Sequence, residues 1–513
     1  MQNINTSKAA GLDKLAGKFL KEGASILAAP IKEICNLSIN LSIFPKKCKP
    51  AKLKPLYKKG SKTEAKNYRP ISLLPLVSKI IEKIIYEQVD SFLRNQNIIY
   101  KYQSGFRSNH STNSCLSYLS NKIQNGSEEG NFTGMILIDL QKVFDTVDHE
   151  ILLLKMKYLG FAESTINWFR SYLEERTFLV DVNGVLSKPG NLACGVPLGS
   201  ILGPLLFLLY VTDMPQSVSC DLLLYADDSC LVFTDKSFEN IENNLNKNFN
   251  SLCEWFVDNK LSIHFGEDKT KSILFGTKRR LKGLRELNIR YKDIEIKQNY
   301  QVKYLGCLLE NSLSGESMAL QALTKINGRL KFLYRNQSFL TASLKRLLCN
   351  ALIQPHFDFA CAAWYPCLNK NFKNKIQVAQ NKCIRFCLNL GNRSHIGANE
   401  FEAINWLPTK ERFEQCVCFF FNFIAEAAPL YISEMFFPVE QSQNTRRSLN
   451  KLQIPYQRTN RGLKMLSYVG PRLWNSLPNS LKSVDGVNNF KHKSKELFFD
   501  NLRAREEDPY IYY

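Results

Sequence analysis

Two adjacent carboxylates, Asp227 and Asp228, stand between apolar runs, Leu222-Leu223-Leu224 ahead and Cys230-Leu231-Val232-Phe233 behind. That pattern predicts a β-hairpin with a tight acidic turn. Carboxylates beside core-forming strands are costly unless a cation neutralises them. A divalent metal does so, and oxygen ligands suit Mg²⁺. Taken alone, Tyr225-Ala226-Asp227-Asp228 reads as readily as an ordinary surface turn, where Asp is common. Upstream, Met135-Ile136-Leu137-Ile138 leads straight into Asp139, the pattern of a buried strand ending in a carboxylate. Alone, Asp139 reads equally as a cap for the following helix. Together, three such carboxylates can hold two metal ions ~3.5–4 Å apart, the arrangement that clamps an in-line phosphoryl displacement.

Other segments have to position this acid cluster. Lys46, Lys47, Lys49, Lys52, Lys54, Lys58, Lys59, Lys62 and Lys66 crowd one stretch. A solvated basic face is the plain reading of such a run. Pro55-Leu56-Tyr57 followed by Lys58-Lys59-Gly60 points instead to a strand entering a basic hairpin tip. Val77, Ile80, Ile81, Ile84, Ile85, Val89 and Phe92 recur at helical spacing and predict an amphipathic helix. Gly195, Pro197, Gly199 and Gly203 form a turn of small residues entering an apolar helix, where a backbone can approach a ligand closely. The apolar run 201–211 is broken by Gly203 and Pro204 and is too short to span a bilayer, so a core helix is expected. Leu344, Leu347, Leu348, Ala351 and Leu352 mark one helix face, with Lys345 and Arg346 on another. That basic face suits either solvent or a duplex backbone.

The order of these motifs resembles the reverse transcriptase of non-LTR retrotransposons of the jockey-like kind. The likeness starts at Lys8-Ala9-Ala10-Gly11-Leu12-Asp13 and runs through Phe44-Pro45 and Pro55-Leu56-Tyr57-Lys58-Lys59-Gly60. It is strong at Asn67-Tyr68-Arg69-Pro70-Ile71-Ser72-Leu73-Leu74 and Gln103-Ser104-Gly105-Phe106-Arg107. It continues through residues 139–149, residues 195–204, the Tyr225-Ala226-Asp227-Asp228 turn, Asn259-Lys260-Leu261-Ser262-Ile263 and Tyr304-Leu305-Gly306.

The resemblance implies an α+β right-hand polymerase with fingers, an antiparallel palm sheet, a helical thumb and a mostly helical C-terminal region. Residues 1–43 read as the tail of a truncated N-terminal extension, 44–310 as fingers and palm, 311–400 as thumb, and 401–513 as a region of unassigned function. The tail carries Arg446-Arg447, Arg458, Arg461 and Gly470-Pro471-Arg472-Leu473-Trp474-Asn475. The implied chemistry is RNA-templated DNA synthesis. Asp139, Asp227 and Asp228, with the Leu140 carbonyl, would hold two Mg²⁺ ions. Lys58, Lys59 and Arg69 would meet the nucleoside triphosphate, since a guanidinium fork matches phosphate oxygens. Phe144, five positions after Asp139, would exclude a 2′-hydroxyl; from spacing alone it is a core aromatic. Pro197, Leu198 and Gly199 would lie against the nucleotide, and Leu198 stands where the family usually has Gln. Arg107, Lys269, Lys271, Gly306, Lys345 and Arg346 would face nucleic acid. Lys269 reads either as a proton donor to pyrophosphate or as a surface lysine.

The expected partners are an RNA template, a DNA primer or nicked target DNA, and deoxynucleoside triphosphates. The nicking endonuclease that the family usually carries would come from outside this chain. Two other readings stay open: an inactive remnant that only binds nucleic acid, favoured by Leu198 and the short N-terminus, and a domesticated scaffold.

Bulk properties agree. The 513 residues suffice for two or three domains, and 44% apolar content marks a globular chain. Lys plus Arg outnumber Asp plus Glu by 68 to 47, a formal charge of +21 that suits a polyanion. No amphipathic membrane anchor is evident. Fifteen cysteines lack paired metal spacing and read as reduced, mostly buried thiols. With no signal-peptide pattern, the expected setting is intracellular, nucleus or cytoplasm, and not secreted. Affinity for primer–template should fall steeply with salt through counterion release. A binding titration from low to physiological salt checks this, and flat affinity would refute a backbone-tracking groove.

Overall fold

The computed structural model describes all residues except 3, 8, 267–268, 425–427, 440–450, 485 and 508–513. Lys8, where the family likeness starts, and Arg446-Arg447 therefore lie outside the described residues. In chain order the first strands are β1 (Ala51–Tyr57), β2 (Tyr68–Leu73), β3 (Phe132–Ile138), β4 (Arg176–Val182), β5 (Val185–Leu186), β6 (Gly190–Leu192), β7 (Asp221–Tyr225), β8 (Asp228–Asp235) and β9 (Lys271–Phe275). Helices dominate the remainder, giving the expected α+β class. β3 and β9 pair antiparallel, with Thr133 opposite Phe275. Two compact units divide the chain, neither continuous in sequence. The first comprises Met1–Phe106, Ile138–Ser229 and Lys247–Thr270; the second comprises Arg107–Leu137, Cys230–Asn246 and Lys271–Tyr513.

Within the first unit, β2-β1-β4-β5 form a sheet, and β6 also pairs with β4. β1 and β2 are antiparallel, with Leu56 opposite Arg69 and Tyr57 opposite Tyr68, so the basic tip begins at Lys58 as its sequence implies. β4 lies parallel to β1, and its first residue anchors it. Arg176 is buried; its Nε donates to the Tyr172 carbonyl at 2.6 Å and its guanidinium lies 4.1 Å from the Tyr172 ring centre. Phe44, fully buried, meets Trp168 and Tyr172 edge-on at 5.5 and 4.9 Å. The Phe44-Pro45 motif is thus a core anchor.

The helix Leu76–Asn95 buries Ile81, Ile85 and Val89 of the predicted face, leaves Val77, Ile80, Ile84 and Phe92 half-buried, and buries Leu93 and Glu82 as well. The helix Leu202–Tyr210 is buried at every position but Pro204, the expected core helix. Among the described residues, no helix is long and apolar enough to cross a membrane.

The second unit is built around the helix Thr112–Glu128, whose N-cap Ser111 forms a capping box with Ser114. At its far end the Glu128 carboxylate accepts from the Thr459 amide at 2.9 Å, from the Thr459 hydroxyl and from the Arg458 amide. Near its start, Ser114 accepts from the Tyr431 hydroxyl at 3.0 Å. The described C-terminal elements include the helices Leu466–Ser476, Asn479–Lys482 and Val487–Glu507. Cysteines are mostly buried, as expected, with Cys194 the exposed one.

The helix Ala342–Leu352 corrects the sequence reading. Its buried residues are Lys345 and Cys349, while Leu344 and Leu347 are exposed. The Lys345 ammonium bonds the Asn389 side chain and lies 5.0 Å from the Phe386 ring centre. Lys345 is therefore an internal residue with no face left for a duplex. Its long stem buries while its charge finds a polar cap.

The loop before β7 is held by Asn248, which is 2% exposed. Its Oδ1 accepts from the Ser219 amide at 2.6 Å, the Ser219 hydroxyl at 3.1 Å and the Cys220 amide at 3.2 Å. Asn248→Ala leaves those donors unpaired and should cost about 1–3 kcal/mol. Urea unfolding checks this, and an unchanged midpoint would mean that water replaces the amide.

Candidate active site

The acidic hairpin forms as its sequence implies. β7 ends at Tyr225, β8 begins at Asp228, and Ala226 takes a left-handed φ of 57°. A buried glutamine holds this turn. Gln103, 2% exposed, accepts from the Ala226 amide at 2.9 Å and the Gly105 amide at 2.8 Å through one oxygen. Ser104 N–H donates to the Leu224 carbonyl at 2.8 Å, and Leu224 N–H to the Tyr102 carbonyl at 3.1 Å. A methyl group on Gly105 would lie 2.1 Å from the Ala226 nitrogen. The Gln103-Ser104-Gly105 motif, which the sequence displays without a role, is therefore a clasp on the aspartate turn. Its legible signal is a polar residue beside a glycine in a short loop between helices.

Asp139 leaves the end of β3 and is fastened on both sides of its backbone. Its carbonyl accepts from the His264 amide at 2.8 Å, and its amide donates to the Thr270 hydroxyl at 3.4 Å. Leu140 forms an antiparallel bridge with Ile263. The ammonium of Lys269 lies 2.6 Å from the Asp139 carboxylate, both side chains being partly exposed.

Asp228 keeps solvent contact, yet protein crowding, followed by the charges of Asp227 and Asp139, pushes its carboxyl up to about 6, against the pull of Lys269 and Lys58. Partial burial lowers the Lys58 ammonium below its usual range; Arg69 and Lys269 lower it further, and Asp139 opposes them. The structure thus gathers Asp139, Asp227 and Asp228 with Lys58, Arg69 and Lys269 into one electrostatic neighbourhood. Lys59 is exposed at the hairpin tip.

Among the described residues, no group of three or more His, Cys, Asp or Glu is arranged to hold a metal ion. The donors nonetheless fit a hard divalent cation. All are carboxylate oxygens, burial and then the neighbouring carboxylates raise Asp228, and Asp139 already draws a cation, Lys269.

Phe144 follows Lys142, whose φ is 45°, in the short helix Val143–Thr146. Its half-buried ring lies 5.9 Å from Phe106 and 5.0 Å from Phe207. Its carbonyl accepts from the Val196 amide at 2.7 Å, which ties it to the glycine-rich loop. On the other side of that loop, Ser72 N–H donates to the Leu198 carbonyl at 2.7 Å. Gly199 has φ 121°, and a methyl there would lie 2.5 Å from the Ser72 carbonyl oxygen, so only glycine fits. The Leu198 side chain lines a cavity of about 60 Å³ with Leu53, Pro70, Phe178 and Pro197.

The remaining candidates belong to the second unit. Arg107 is half-buried, and Arg346 is half-buried on the helix whose Lys345 is internal. Lys271 opens β9 opposite Leu137. Gly306, with φ 86°, turns the hairpin between Gln301–Tyr304 and Cys307–Glu310 and faces the Phe359 ring.

An aspartate turn and a strand-end aspartate thus share one electrostatic neighbourhood with a basic hairpin. Residues 56–309 match the family described as reverse transcriptase (RNA-dependent DNA polymerase). The chain is 28% identical over 393 residues to the probable RNA-directed DNA polymerase from transposon X-element of Drosophila melanogaster, covering 74% of this chain and 42% of that one. It is 29% identical over 406 residues to the probable RNA-directed DNA polymerase from transposon BS of the same species, covering 75% and 43%. It is 28% identical over 392 residues to the RNA-directed DNA polymerase from mobile element jockey, also of Drosophila melanogaster, covering 73% and 42%. The chain spans less than half the length of these relatives.

Gly105→Ala forces a methyl against the backbone of the aspartate turn. Nucleotidyl transfer should fall by about tenfold or more, because small misplacements of reacting groups are expensive. Primer extension measured beside a thermal melt tests this. A wild-type rate would mean that the clasp yields without moving Asp227 or Asp228.

Proposed function

We propose that this chain is the RNA-directed DNA polymerase part of a non-LTR retrotransposon. It would extend a DNA primer, or the end of nicked target DNA, on an RNA template with deoxynucleoside triphosphates. The observation that carries the reading is the shared neighbourhood of Asp139, Asp227 and Asp228 with Lys58, Arg69 and Lys269 inside the matched domain. In the right-hand description, residues 44–310 are fingers and palm, 311–400 the thumb, and 401–513 an appended region.

Asp139, Asp227 and Asp228, with the Leu140 carbonyl, would hold two Mg²⁺ ions, which supply activation of the primer 3′-hydroxyl and charge for the triphosphate. The chain does the rest by positioning. Lys58, Lys59 and Arg69 approach the phosphates from the hairpin tip. The Phe144 ring, braced by Phe106 and Phe207, floors the sugar site. The backbone of Pro197, Leu198 and Gly199 backs the nascent pair. Lys269 holds the Asp139 carboxylate in the free protein. Little covalent work falls to side chains, so charge placement dominates.

Asp139→Asn and Asp227→Asn should each slow primer extension by roughly a hundredfold or more, since a lost carboxylate weakens stabilisation of the developing charge. Single-turnover extension on an RNA template checks this, and a wild-type rate for Asp139→Asn would overturn the assignment. Phe144→Ala should raise ribonucleotide use relative to deoxynucleotide use by opening room for the 2′-hydroxyl. The ratio of kcat/KM values for the two sugars reads it out; an unchanged ratio makes Phe144 a packing residue only.

A further inference from the structure

The helix Leu76–Asn95 carries a buried carboxylate that the proposed mechanism does not use. Glu82 is 0% exposed and sits on the apolar face with Ile81 and Ile85. Its Oε2 accepts from the Ile201 amide at 2.7 Å, and its Oε1 from the Ser78 hydroxyl at 2.9 Å. Burial pushes the Glu82 carboxyl above its usual range, while the Ile201 amide, the Arg176 guanidinium, the Ser78 hydroxyl and the Leu202 amide pull it back down. Ile201 and Leu202 are the N-cap and first residue of the buried helix Leu202–Tyr210, directly after the glycine-rich loop.

We propose that Glu82 is a positioning residue for nucleotide use: it pins the glycine-rich loop, residues 195–200, to the helix that continues from the basic hairpin. The proposal rests on the polymerase reading of this domain.

A carboxylate suits this place because it only accepts. Two helix-start amides and a hydroxyl converge on Glu82, every one a donor. The orphan amides of a helix N-terminus also favour a negative partner. A glutamine of the same size has one acceptor oxygen, and its NH₂ group would have to face donors.

The start of the loop is held at Gly195, whose N–H donates to the Val147 carbonyl at 2.8 Å and whose carbonyl lies 2.8 Å from His149 Nε2. Val196 N–H bonds Phe144, Ser72 N–H bonds Leu198, and the Ser200 hydroxyl accepts from Gly203 N–H at 2.8 Å and donates to the Pro197 carbonyl at 2.8 Å. Ser72 lies on β2, three residues from Arg69, and Glu82 lies on the helix that follows β2. The loop and the strand that carries Arg69 are thus registered by two bonds, Ser72 to Leu198 and Ile201 to Glu82. Loosening the second lets Pro197, Leu198 and Gly199 drift relative to the hairpin strands. The phosphate end and the sugar–base end of a bound nucleotide would then no longer be held at one spacing.

Glu82→Gln tests this in the full chain, with Ser78→Ala as the control that removes a donor and keeps the Ile201 bond. KM for deoxynucleotides should rise about tenfold in Glu82→Gln while kcat stays within about threefold, inside the ~10²-fold that a 1 Å misplacement can cost. Amide exchange should quicken at residues 198–203 and stay protected in the sheet strands. Ser78→Ala should keep the wild-type KM and loop exchange. Wild-type KM and loop exchange in Glu82→Gln overturn the proposal. So does exchange that quickens across the whole unit, because Glu82 would then be a general stability residue. If the wild-type chain extends no primer, the polymerase reading falls instead. The exchange pattern then still decides whether Glu82 pins the loop.

Discussion

Like charges set the terms of this site. Burial, and then the charges of Asp227 and Asp139, raise the Asp228 carboxyl. A cluster of this kind persists only if the backbone beneath it is over-determined and cations stand close by. Both conditions are met. The aspartate turn is clasped by Gln103, and Asp139 is tied on either side by His264 and Thr270. Lys269 contacts Asp139 directly, while Lys58 and Arg69 contribute from the hairpin.

The acid cluster and its hairpins were legible because local rules decide them. Apolar runs flank the Ala226-Asp227 turn, and a solid apolar strand delivers Asp139, so period and turn chemistry suffice. The basic tip between β1 and β2 follows from the same logic. Long-range partners were not legible. Gln103 meets Leu224 in a parallel bridge across more than a hundred residues, and no local pattern announces it. Glu82 hides in an apolar face, where a charged residue at helical spacing gives no hint of the donors that await it.

The helix Ala342–Leu352 shows why periodicity misleads when both faces carry apolar groups. Cys349 and the stem of Lys345 compete with the leucines for the interior and win. The deciding partner is Asn389, left-handed at the end of the helix Lys370–Leu388, which offers an oxygen to the lysine. Leu198 teaches a related point. The backbone of that loop is held through the Leu198 carbonyl by Ser72, a bond indifferent to the side chain, so exchanging an amide for an isobutyl group leaves the loop fastened.

Glu128 and the residues that satisfy it, Arg458 and Thr459, stand 330 and 331 positions apart. During synthesis at ~5–20 residues per second, the helix Thr112–Glu128 emerges on the order of tens of seconds before its partners do. Until then the Glu128 carboxylate lacks these donors, although the helix already meets Cys361–Trp364, where the Ser120 hydroxyl donates to the Ala363 carbonyl at 2.8 Å. This end of the second unit therefore closes only once Arg458 and Thr459 have been made. Such delayed closure exposes sticky surface for a long interval and makes folding in the cell a matter for chaperones. A stretch of unassigned chemistry thereby acquires a definite duty: it satisfies the far end of a helix made much earlier.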